Sequence, residues 1–174
     1  MTRALILFIL SALLSIGTFY LKSEHRFDVQ LVVPVGLYFI IAFLLAIQPS
    51  VETQKKLQFA GLALLVWIVL FLASYNVLFV FIAPVAGGLG AWLIILLSRK
   101  FLDLTAENIW PVVWTGVVMA LIGIGFMALV KKQVSIGLKA GILTGLWQLG
   151  VGWYLVKSMS RPPKNQGITQ EEAS

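Results

Sequence analysis

No cysteine occurs in the 174 residues of this chain. That absence removes disulfides, thiolate metal sites and cysteine nucleophiles together, and it leaves the redox compartment undetermined. Charge is scarce too: Asp, Glu, Lys and Arg make up 11% of the residues and 60% are hydrophobic, against about 25% charged in an ordinary soluble domain. The seven acids, Glu24, Asp28, Glu52, Asp103, Glu107, Glu171 and Glu172, all lie outside the long apolar runs. Proton relays and cation-coupled carriers commonly keep a carboxylate within a span, so a proton- or sodium-driven mechanism is disfavoured. The one histidine, His25, sits between Glu24 and Arg26. A lone histidine gives no ligand cluster, and neither a G-x-S-x-G elbow nor an H-E-x-x-H helix is present. Metalloprotease and hydrolase chemistry are disfavoured, and no metal or cofactor is expected.

What remains is a set of long apolar runs. They do not alternate as the strands of a transmembrane barrel would, so the expected class is an all-α, polytopic transmembrane helix bundle. Six spans can be drawn, Ala4–Leu21, Val29–Ile47, Leu57–Ser74, Val77–Ser98, Ile109–Val130 and Ser135–Val156, each near the roughly 20 residues that cross a hydrocarbon core. The third and fourth are divided only by Ser74-Tyr75-Asn76, so five spans with a re-entrant piece is the alternative. The first run exceeds the usual h-region of a secretory signal and no small-residue cleavage site follows it, which marks it as a retained helix. Residues 1–157 read as one transmembrane domain and residues 158–174 as a polar cytoplasmic tail without fixed structure.

The formal net charge of +6 would suggest nucleic acid in a soluble protein, but here the basic residues cluster at span ends. Anionic headgroups at the inner face, and not nucleic acid, are the expected partner. With the N-terminus inside, Arg3, Lys55, Lys56, Arg99, Lys100, Lys157, Arg161 and Lys164 face one side. Lys22, Arg26, Lys131 and Lys132 face the other. The excess assigns both termini to the cytoplasm, in what reads as a bacterial inner membrane.

The last run carries Gly137, Gly141, Gly145 and Gly152 on one face, with Thr144 and Gln148 beside them. Small residues let helix backbones approach closely in lipid. Gln148 is excluded from facing acyl chains, since an unpaired amide in hydrocarbon costs roughly 2–7 kcal/mol. Gly87 and Gly90 on the fourth span and Gly116 and Gly123 on the fifth suggest further packing faces. Ser11, Ser15 and Thr18 share a face of the first. Gly150 is expected to look away from the glycine stripe toward lipid, and Lys139 to reach the headgroups by snorkelling. Pro34, Tyr38, Pro84, Thr144 and Gln148 form a candidate polar cavity between the second, fourth and sixth spans.

Two functions are compatible with this pattern. The first is a small, non-enzymatic multi-pass protein that works through helix packing, as a homo-oligomer or as a subunit among other membrane helices. The alternative is a transport component, a six-helix substrate-binding or channel-forming unit for a small solute. An enzyme acting on lipid headgroups through Asp103, Glu107, Arg99 and Lys100 is a minor third reading.

Overall fold

The computed structural model describes residues 2–22, 29–48, 50–74, 79–104, 108–129 and 135–159. Among them are six α-helices and no strands. The helices are α1 (Thr2–Lys22), α2 (Val32–Ile47, entered through a 3-10 turn at Val29–Leu31), α3 (Thr53–Ser74), α4 (Phe79–Leu102), α5 (Trp110–Leu129) and α6 (Ile136–Met159). Each drawn span contains one helix, with ends that move by a few residues. The long apolar stretch from Leu57 to Ser98 is two helices packed on each other, α3 and α4. At the far end α6 continues through Ser158 and Met159, two residues expected in the tail.

Three helical stretches are long and apolar enough to cross a membrane, Thr2–Leu21, Thr53–Ser74 and Ile82–Leu102; Val32–Ile47 and Trp110–Phe126 are shorter apolar helices. The α6 helix is 24 residues long but carries Lys139 and Lys157 near its ends.

Helix ends are set locally. Gln48 takes a left-handed backbone (φ 49°, ψ 58°), and its N–H donates to Leu44 O at 2.9 Å. This closes the last turn of α2 as a left-handed cap does. Asp103, at φ 52°, ends α4; short polar residues tolerate this region better than most. Its carboxylate then pairs with Lys55 Nζ at 3.5 Å across the ends of α3 and α4, with both side chains largely exposed. Solvent screening leaves such a pair worth at most about 1 kcal/mol. Glu107, expected at the start of α5, lies outside the described residues.

The helices form a ring in chain order, each packed on its neighbours, and the ring closes where α6 returns to α1 in the most extensive pairing. α6 also touches α2 and α4 across the interior. The glycines explain that closure. A methyl group placed on Gly141 would come 3.0 Å from Ile16 Cα, and one on Gly145 would come 3.3 Å from Ala12 O. A Cβ on Gly152 would overlap the Phe8 ring. α1 therefore lies against α6 backbone to backbone and antiparallel, which a side chain on that face would prevent. α4 and α5 repeat the device: a Cβ on Gly87 would sit 2.6 Å from Gly116 O. Gly123 is closed by Leu143 of α6, and Gly137 is buried.

One expectation is overturned. Gly150 does not look toward lipid, because a Cβ there would come within 2.5 Å of Met119 Cγ on α5. Both α1 and α5 use α6, so its small residues serve two opposite contacts. A methyl group placed on Gly17, Gly61 or Gly125, by contrast, would meet nothing within 4 Å.

Replacing Gly141 by isoleucine should lower thermal stability in detergent by about 1–3 kcal/mol, the usual consequence of overpacking. Gly61→Ile is the matched control, since its site is open and loss of glycine's backbone freedom favours the helix. Equal losses for the two variants would contradict the packing role of the α6 stripe.

Candidate functional site

The inner faces of the helices build two adjoining features, a polar knot and an apolar cavity. Gln148, halfway along α6, is fully buried. Its Oε1 accepts from Ser11 Oγ at 2.9 Å and lies 2.9 Å from Ser15 Oγ, and its Nε2 donates to Val35 O at 2.9 Å. One side chain thus ties α6 to both α1 and α2. Ser15 has a second acceptor, the Ser11 carbonyl at 2.8 Å, and its single proton serves one of the two at a time. No fully enclosed side-chain nitrogen or oxygen among the described residues is left without a partner, as apolar surroundings require.

Two tryptophans add ties of the same kind. The Trp147 indole donates to Gly87 O at 3.1 Å, joining α6 to α4, and the Trp67 indole donates to Val32 O at 3.0 Å, joining α3 to α2. Their rings pack at a centroid distance of 5.7 Å, and Trp147 continues onto Phe39 at 5.5 Å. Trp67 also meets Phe71 at 5.8 Å. A buried indole gains its area in packing only when its N–H finds an acceptor, and both do here. The tryptophans are consequently fixed in orientation.

Those fixed rings form one wall of a cavity of about 390 Å³, within the size range of small-molecule sites. Phe39, Trp67, Phe71 and Trp147 make its flat surfaces. Much of the remaining lining is small: Ala83, Ala86, Gly87 and Gly90 on α4, Ala120 on α5 and Ala140 on α6. Gly36 and Ala63 complete the α2 and α3 sides. The volume exists because bulky rings on three helices share the lining with residues that end at or before Cβ. Polar groups reach it at Ser74, Thr144 and Lys139.

Of the five residues of the candidate polar cavity, Thr144 lines this space. Gln148 is engaged in the knot, and Tyr38 receives the Thr18 hydroxyl at 3.3 Å. Pro34 and Pro84 are half-buried and outside the lining. The void is thus apolar where a polar one was expected. Lys139, expected at the headgroups, stands in the lining. The sequence reasoning also missed α3, whose Trp67 and Phe71 wall the cavity; α3 carries no polar residue between Gln58 and Ser74, other than the Trp67 indole, to mark an inner face. No family model matches the chain, and no curated protein and no solved structure matches it.

The knot makes a definite prediction. Ser11 and Ser15 serve the same Gln148 oxygen, so Ser11→Ala or Ser15→Ala alone leaves it one donor and should lower stability by under about 0.5 kcal/mol. The double variant and Gln148→Leu should each cost roughly 1–2 kcal/mol, as expected for buried hydrogen bonds between membrane helices. Thermal unfolding of the four variants gives the comparison, and strict additivity of the two serine changes would contradict the shared acceptor.

Proposed function

We propose that this chain is a non-enzymatic, six-crossing membrane protein that binds a small hydrophobic solute inside its own helix bundle, as the binding unit of a transport or sensing process. One observation carries the reading: the cavity bounded by α2, α3, α4 and α6 with α5 at its edge, walled by tryptophans held in place by hydrogen bonds. Rigid aromatic walls beside alanine and glycine favour an apolar solute, because shape and dispersion are the main selective forces such a lining offers.

Action purely through packing on other membrane helices is the second reading. The glycine stripes no longer argue for it, because Gly141, Gly145, Gly152, Gly87 and Gly116 are occupied by contacts within the chain. Its support is α3, whose buried residues are Phe59 and Ala63 and whose Leu57, Leu62, Leu65, Val69 and Leu72 are exposed. Acyl chains cover such a surface as well as a partner would, so it weighs less than the cavity.

Both readings place the protein in a membrane with its termini on the cytoplasmic side. Because the chain has no cysteine, Ser23→Cys and Ser160→Cys report topology without competing thiols. In intact cells an impermeant maleimide should label Ser23→Cys and spare Ser160→Cys; the reverse pattern would overturn the orientation.

Solute binding is tested by thermal unfolding of the purified chain against a panel of small apolar compounds. A ligand of the native state at one hundred times its Kd raises stability by about 2.7 kcal/mol. One compound class should raise the Tm, and Ala86→Phe, which projects a ring into the cavity, should remove the shift. Absence of any stabilising class, together with a stoichiometric partner recovered from native membranes, would favour the packing reading.

A further inference from the structure

The cavity's polar groups are not scattered. Among the described residues that line it, Lys139 alone carries a charge. It stands in the first turns of α6, beside Ala140 and at the same end of the bundle as Ser74, the last residue of α3. The apolar lining, with Phe39, Ile40 and Ile94, extends from that end toward the middle of the helices. No ion pair of the Lys139 ammonium is found among the described residues; its backbone N–H donates to Ser135 O at 3.2 Å as an ordinary first-turn bond.

Thr144 supplies a second, independent observation. It is 3% exposed and lines the same space, and its hydroxyl has no hydrogen-bond partner among the described residues. Since no enclosed side-chain polar atom among the described residues is left unpaired, this hydroxyl opens onto the void, where it can pair with what enters. The Ser74 hydroxyl, by contrast, is engaged, donating to Leu70 O at 2.6 Å.

From this arrangement we infer that the cavity takes a monoanionic amphiphile, a carboxylic acid with one hydrophobic tail. The carboxylate lies at Lys139 and the tail lies along the aromatic and alanine-glycine lining. This rests on the reading of the cavity as a solute site and specifies the class of solute. The charge selects the sign of the head: an ammonium on the lining of an apolar space repels a cationic head and strengthens its contact with an anionic one as water leaves. A mostly apolar space of about 390 Å³ accommodates one tail and not the paired tails of a bilayer phospholipid.

The test uses the intact chain in a nonionic detergent, with a medium-chain carboxylic acid brominated at its far end and the matching brominated alcohol as probes. Trp67 and Trp147 line the cavity, so a bromine there quenches them saturably, whereas partition into the micelle quenches the exposed Trp92, Trp110 and Trp114 in proportion to concentration. The acid should bind wild-type protein about tenfold more tightly than the alcohol. Lys139→Gln should abolish that difference by weakening the acid alone, and Lys139→Arg should preserve it. Tenfold corresponds to about 1.4 kcal/mol, near the lower end of the range for a charge-assisted hydrogen bond.

Alcohol binding by Lys139→Gln doubles as evidence that the variant is folded. Equal affinities of acid and alcohol in wild type, or an acid affinity unchanged by Lys139→Gln, would overturn the anionic assignment while leaving the cavity a binding site. Absence of saturable quenching by either probe, or quenching that survives both Ala86→Phe and Ala140→Phe in variants that keep wild-type helicity, would overturn the cavity reading itself.

Discussion

Helices in hydrocarbon gain little by hiding apolar side chains from one another, because the lipid is as apolar as they are. What holds this six-helix bundle together, three of whose helices are long and apolar enough to cross a membrane, is close backbone contact and the pairing of the few polar groups it carries. Both are concentrated where α6 meets α1. Gly141 and Gly145 bring the α1 backbone near enough for Ser11 and Ser15 to reach Gln148, and Gln148 then reaches on to Val35 of α2. Contact and hydrogen bonding depend on each other here: a side chain on the glycine face would move α1 out of range, and an unanswered Gln148 would be too costly to bury.

The cavity follows from the same packing. With α6 held against α1 and α2 on one side and against α5 through Gly150 and Gly123 on another, its remaining face, carrying Lys139, Ala140, Leu143, Thr144 and Trp147, is turned inward. Trp147 spans the interior to Gly87 O and keeps α4 at a ring's distance from α6. Small residues on α4 do not fill the space that this leaves. Close packing elsewhere and a void here are two results of one distribution of glycine, alanine and tryptophan.

Much of this was legible in the residues. Hydropathy and the spacing of basic residues located the helices because those signals are local. The stripe Gly137, Gly141, Gly145 and Gly152 marked a face, and Gln148 had to find partners, since neither conclusion needs knowledge of the neighbour. Which neighbour was not legible: the serines on α1 share a face that period alone reveals, but nothing local pairs them with a residue more than 130 positions away. The surroundings of Gly150 were not legible either, because a helical wheel shows one stripe and its opposite, whereas a helix inside a ring has contacts on several sides. A polar cavity was expected among Pro34, Tyr38, Pro84, Thr144 and Gln148, the polar or irregular residues. Apart from Thr144, the void lies instead among residues conspicuous only for being small or aromatic, and a void is a property of several helices together.

The central claim is that the glycine face of α6 is closed by α1 of the same chain. Because the chain lacks cysteine, the double variant Ser11→Cys/Gln148→Cys, treated in native membranes with a short bifunctional methanethiosulfonate, tests it directly. Ser11 Oγ lies 2.9 Å from Gln148 Oε1 beside the glycine face, so thiols at these two positions are within reach of one short spacer and neither replaces a glycine. The account predicts a cross-link within one chain, seen as a monomer whose migration on a denaturing gel changes on reduction. A disulfide-linked dimer with no such intrachain product would contradict it, by showing that this face meets a second copy.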